Sequence, residues 1–119
     1  MILADTSVWI DHLRHGNPRL KQLLRAEAVA CHPFVIGELA CGHLGNREEI
    51  LSLLHALPRL PAAEDGEVLP FIEDHRLMGR GLGLIDIHLL ASAKLGGASL
   101  WTLDKHLQKA AQELALGGL

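Results

Sequence analysis

The chain has 119 residues, the size of one domain, and at 49% hydrophobic composition it is able to bury a single compact core. Its 14 acidic and 11 basic side chains give a formal net charge of −3, which excludes a strong overall attraction to nucleic acid or to an anionic membrane surface. No run of about 18 apolar residues and no export-signal layout are present, so a soluble, cytoplasmic protein with no membrane partner is expected.

Residues 2–4 read as a first strand, which passes at Asp5 into a helix carrying Val8, Trp9, Ile10 and Leu13 and ending near Gly16. Asn17 and Pro18 suit the N-cap and first position of a second helix, with Leu20, Leu23 and Leu24 as its buried stripe. Residues 28–32 form the second strand, Pro33 opens a helix to about Leu39, and residues 47–57 make an amphipathic helix closed by Pro58. A short strand is expected to start at Leu60, and residues 65–79 read as helical despite Pro70. Residues 84–97 form a helix stopped by Gly96 and Gly97, residues 98–103 the third clear strand, and residues 105–116 the closing helix. The alternation is that of one α/β domain spanning residues 1–119 with a mostly parallel sheet. Cys31 and Cys41 stand without a CxxC motif or a Cys/His cluster and are expected to be reduced, mostly buried thiols.

Four acids occupy unusual places. Asp5 and Asp104 each follow the apolar run of a strand, at the edge where open parallel sheets bind ligands, although each is also a good N-cap for the helix that follows. Glu38 has Phe34, Val35, Cys41 and Gly42 as its helical neighbours, and Asp86 has Leu82, Gly83, Leu89 and Leu90, so no local cation neutralises either. Each sits at a solvent-facing edge of its stripe or needs a partner from elsewhere in the fold. Were all four to converge within about 5 Å, each like-charge pair would cost on the order of 3 kcal/mol at an effective dielectric near 20. A hard cation such as Mg²⁺ or Mn²⁺ makes such an all-oxygen pocket useful, since it clamps a phosphodiester and activates a water for in-line attack. The hydroxyls of Thr6 and Ser7 are placed to hold Asp5 or a water, or to cap the helix, and Thr102 is assigned to the same supporting set.

The stretches "ILADTSVWI", "VIGELACG" around Glu38, "LIDIHLLASA" around Asp86 and "LWTLDKHL" around Asp104 resemble the PIN-domain ribonucleases, in particular the VapC-type toxins of bacterial toxin–antitoxin pairs. The resemblance covers nearly the whole chain. It implies a PIN-like three-layer α/β domain with a mainly parallel sheet of four or five strands flanked by helices, and Mg²⁺- or Mn²⁺-dependent endonuclease activity on RNA. Asp5, Glu38, Asp86 and Asp104 match the family's four acids, as metal ligands and catalytic residues. Many relatives carry a further acid two positions after Asp104, where this chain has His106, so the number of metals per site stays open. The resemblance also implies a small antitoxin partner, a homodimer, and contact with operator DNA only through the antitoxin.

RNA has a basic stretch available in Arg14, Arg19, Lys21 and Arg25, with no acid between Asp11 and Glu27, and Arg80 extends the candidate set; a solvated helix face is the alternative. Trp9, Trp101, Phe34 and Phe71 lie in apolar settings and there is no tyrosine, so stacking of bases on aromatic rings is not supported. His12 and His15 share a helix face without the carboxylate pattern of a zinc site, and His88 is expected to point away from Asp86. The competing reading is a non-catalytic interaction module whose acidic pocket docks a basic partner segment. A phosphoacceptor domain is disfavoured because Asp5 has no adjacent acid.

Overall fold

The computed structural model describes residues 1–118. The central strand is β1 (Ile2–Ala4), flanked in parallel by β2 (Val29–Ala30) and β3 (Ser99–Trp101), in the order β2-β1-β3. Leu3 pairs with Ala30 on one side and Leu100 on the other. All three are buried, as expected of a parallel sheet covered on both faces. The helices are α1 (Thr6–His15), α2 (Pro18–Arg25), α3 (Pro33–Ala40), α4 (Arg47–Ala56), α5 (Asp65–His75), α6 (Leu84–Gly96) and α7 (Lys105–Glu113). α1 packs on β1 and α3, α3 on α4, α5 on α6, and both α6 and α7 on β3.

Local chemistry sets most of the boundaries. Asn17 Oδ1 accepts from Leu20 N–H at 2.9 Å and Pro18 opens α2. Gly97, at φ +64°, ends α6 in the left-handed conformation. A methyl group at Gly96 would lie 2.8 Å from Leu60 Cδ2 and 3.2 Å from Pro61 Cδ, so glycine lets the last turn of α6 rest on that segment without displacing either side chain.

Several expected boundaries move. The sheet has three strands among the described residues, not four or five, and the strand expected at Leu60 reduces to a single bridge between Cys31 and Arg59. Pro58 and Pro61 bracket that bridge and have no N–H with which to extend a ladder. The helix expected over residues 65–79 stops at His75: Arg76 turns left-handed at φ +52°, Leu77 N–H bonds back to Ile72 O at 3.0 Å, and the Leu77 side chain enters the core. α7 ends at Glu113, short of residue 116, because Leu116 O instead accepts from Leu100 N–H at 2.7 Å and so pairs with β3. α1 begins at Thr6, two residues earlier than its apolar stripe. Of the two free cysteines Cys31 is buried as expected, but Cys41 is exposed because it caps the end of α3.

The end of β2 carries an imidazole. His32 caps α3, its Nδ1 accepting from Phe34 N–H at 3.0 Å, so the neutral ring carries its proton on Nε2. His32 is buried between Phe34 and His88, and burial, then the charges of His88 and Arg59, push its pKa from 6.5 down to about 4. A histidine that is harder to protonate folded than unfolded contributes stability that is complete above pH 6.5 and is lost as the pH falls towards 4. Urea unfolding followed between pH 7 and pH 4 is expected to show this decline. His32→Asn, which keeps a capping oxygen and cannot ionise, is expected to flatten it.

Candidate active site

The strand order places a crevice between β1 and β3. The chain leaves β1, crosses to β2 on one side, and returns to β3 on the other, and at such a reversal the carboxyl ends of the strands diverge. Asp5 follows β1, and Thr102 and Asp104 follow β3, so three of the expected residues enter this edge directly.

Asp5 is the most constrained group there, at 8% exposure. Its Oδ1 accepts from Thr6 N–H at 2.7 Å. Its Oδ2 accepts from Ser7 Oγ at 2.9 Å and from Thr102 Oγ1 at 2.7 Å. Each hydroxyl owns one proton, and both are given to Asp5. The 3.4 Å contact between Ser7 and Thr102 therefore has no proton to share. Their lone pairs face the other way, Ser7 Oγ accepting from Leu103 N–H at 3.0 Å and Thr102 Oγ1 from Asp104 N–H at 3.0 Å. Asp5 thus caps α1, as one reading of the sequence had it, and is also joined to the turn after β3. Asp104 repeats the pattern as the cap of α7, its Oδ1 accepting from His106 N–H at 3.2 Å.

The two helix acids arrive from elsewhere in the fold. Glu38 is exposed on α3, at the rim of the stripe that buries Val35 and Leu39, which is the solvent-edge position the sequence left open. Its Oε1 accepts from Thr6 Oγ1 at 2.6 Å, so Thr6 ties Glu38 to the residue beside Asp5. Asp86 is half-buried in the first turn of α6, where its Oδ2 accepts from Gly83 N–H at 2.9 Å. Burial raises the pKa of Asp86; the Gly83 bond opposes this, and the charges of Asp5, Asp104 and Glu38 raise it further. Three acids distant in sequence thus act electrostatically on the fourth. Among the described residues no three of them close into a ready-made metal cage.

The loop before α6 is anchored by α7. The His106 ring lies over Gly81, where a methyl group would meet His106 Cγ at 3.3 Å and where φ is +75°. One position earlier, Arg80 Nη2 pairs with Glu113 Oε2 at 2.7 Å. The His106 side chain is therefore set against the loop that presents Asp86. Gly81 and Gly83 were not singled out from sequence, although the run "GRGLG" ahead of a helix is a signal for such a loop.

The candidate RNA contacts divide. Arg14, Arg19, Lys21 and Arg25 are exposed on α1 and α2 and form no ion pair among the described residues, whereas Arg80 is paired. Arg14 also lines a cavity of about 410 Å³ that has Glu38 in its wall. His12 is occupied by Asn17 N–H at 3.0 Å, and His88 is buried against Phe34, away from solvent.

Comparison with known proteins bears on the family and the fold. The family model of the PIN domain matches residues 2–113. Ribonuclease VapC32 of Mycobacterium tuberculosis, from strains CDC 1551 and H37Rv alike, is 50% identical over 114 residues, covering 95% of this chain and 92% of the relative. The crystal structure of PAE2754 from Pyrobaculum aerophilum superposes with a TM-score of 0.61 at 19% identity over 92% of this chain and 78% of that one, a likeness of fold. The chain belongs to the PIN-domain family and is of the VapC type.

Proposed function

We propose that this chain is a Mg²⁺- or Mn²⁺-dependent endoribonuclease that serves as the toxin of a toxin–antitoxin pair, with Asp5, Glu38, Asp86 and Asp104 as its catalytic metal ligands. The ribonuclease part of the reading is supported by the half-identical relative, itself named a ribonuclease VapC. The observation that carries the site is the convergence on Asp86 of the charges of Asp5, Asp104 and Glu38. Such a set of like charges is unfavourable by itself and suits a divalent cation held by oxygen ligands. The donors fit that ion: carboxylate oxygens, two of them on carboxylates fixed at strand ends, with no cysteine and no histidine among them.

When bound, Mg²⁺ or Mn²⁺ supplies a Lewis acid that offsets phosphodiester charge and lowers the pKa of a water. The chain's own contribution is placement. Thr6 N–H, Ser7 and Thr102 direct hydrogen bonds at the two Asp5 oxygens, which fixes the carboxylate plane before any ligand arrives. Thr6 Oγ1 orients Glu38 and Gly83 N–H orients Asp86. Arg14, Arg19, Lys21 and Arg25 add positive charge on α1 and α2 for the RNA backbone. The cytoplasm is the compartment in which RNA and a cognate antitoxin would be met. The antitoxin, a homodimer, and operator contact through the antitoxin belong to the same reading.

Asp5→Asn is expected to abolish Mn²⁺-dependent cleavage of RNA by the purified protein, and Thr102→Val to reduce activity or metal affinity by about 10–100-fold, as loss of a ligand-orienting bond does. Equal cleavage by wild type and Asp5→Asn would overturn the reading. An acid whose pKa is raised on folding lowers stability once it is ionised, so metal-free Asp86→Asn is expected to melt above the wild type at pH 7. That advantage should vanish as the pH falls and wild-type Asp86 takes up its proton. Added Mn²⁺ is expected to raise the Tm of the wild type more than that of Asp86→Asn, as measured by scanning calorimetry.

A further inference from the structure

The cavity that shares Glu38 with the acidic site also has lining groups, His43 and Asn46 among them, that the cleavage chemistry does not use. It encloses about 410 Å³ between α1, α3 and the turn leading into α4, within the range of about 300–1,000 Å³ typical of small-ligand pockets. Ile10 and Leu13, each 37% exposed, give it apolar walls. Arg14, His43 and Asn46 bring a planar cation, a planar ring and an amide to the same space. A second cavity, between α5 and α6, has none of the four site acids in its lining.

We propose that this cavity seats one unstacked nucleobase of a single-stranded RNA, the base next to the phosphodiester held at the acids; this rests on the ribonuclease reading above. RNA is continuous, so a phosphodiester at Glu38 brings its neighbouring nucleotide to whatever adjoins Glu38, and that is this cavity. Proteins that read RNA sequence splay such bases out, stack them on rings or guanidinium planes, and bond their edges. The chain has no tyrosine, Trp9 is buried, and Phe34, although 40% exposed, does not line this cavity, so no phenylalanine, tyrosine or tryptophan ring is at hand for stacking there. Arg14 and His43 provide planar faces in their place. Asn46 stands at the N-cap of α4 yet makes no capping bond, which leaves its amide with both a donor and an acceptor for a base edge. The rim is held beforehand: Arg47 Nη2 donates to Ala40 O at 2.7 Å and Nη1 to Gly42 O at 3.3 Å, so little order has to be gained when a base enters.

The test combines base removal with cavity variants. Short fluorescent RNAs carrying one abasic site at successive positions are titrated by anisotropy into Asp5→Asn protein in Mg²⁺, and into the same protein carrying Arg14→Ala, Asn46→Ala or Leu13→Trp. One position is expected at which base loss weakens binding about 10-fold, in keeping with the energy of one stacked base. At that position the three cavity variants should bind intact and abasic RNA alike. In the cleaving background, with Asp5 restored, Arg14→Ala and Asn46→Ala are expected to raise KM about 10-fold with little change in kcat and to flatten the nucleotide preference beside the cut. An abasic penalty of the same size in the variants, or none at any position, overturns the proposal. So does a cavity whose substitution weakens only binding of a purified antitoxin, which would mark it as a protein-docking groove. A wild type that cleaves no RNA in Mn²⁺ refutes the ribonuclease reading instead, and the anisotropy comparison still decides the pocket.

Discussion

A carboxylate buried at the end of the central strand has to be hydrogen-bonded on both oxygens, because an unpaired buried charge costs several kcal/mol. In this fold that requirement is met by donors from two places, the first turn of α1 and the residue that follows β3. Asp5 consequently does two jobs at once. It starts a helix, and it fastens the ends of two neighbouring strands to one another. The same hydroxyls that satisfy it accept N–H groups from the turn after β3, so the orientation of Asp104 depends on the Oδ2 atom of Asp5 as well as on its own helix. The edge is rigid for reasons of solvation, and rigidity is what a set of metal-binding oxygens needs.

Around that fixed point the remaining acids are held by separate means. Glu38 is reached by the hydroxyl of Thr6, and Asp86 by a backbone N–H at the end of a glycine-rich loop. That loop is pinned in turn by α7 through His106 on Gly81 and Glu113 on Arg80. The resulting concentration of negative charge shows in Asp86, whose ionisation the surroundings oppose. The third strand end carries a neutral imidazole instead of a further acid: His32 caps α3 and adds no charge to the edge.

How far the sequence disclosed this arrangement can be followed through particular residues. The acids were legible because each broke a local rule, Asp5 and Asp104 by sitting where strands end and Glu38 and Asp86 by lacking any cation at helical spacing. The α/β alternation was legible for the same reason that it folds, since strand and helix periods differ. Boundaries were less so. The stop at His75 depends on Leu77 finding space in the core, and the single bridge at Arg59 depends on two prolines meeting the edge of β2, neither of which one-dimensional periodicity contains. The cavity beside Glu38 was also hidden, because His43 and Asn46 lie in a short glycine-bearing turn whose sequence advertises only a change of direction. Arg80, grouped with the exposed cations on charge alone, turned out to have Glu113 as its partner, 33 positions away and beyond any helical offset.

The bond between Thr102 and Asp5 spans 97 positions. During synthesis the acid after β1 therefore waits for its long-range donor until 97 further residues have been added. A chain that stops before Ser99 lacks β3, and with it one side of the crevice and the Thr102 hydroxyl, whatever helices it has formed. That delay follows from placing the first of the three described strands in the middle of the sheet and the third beside it.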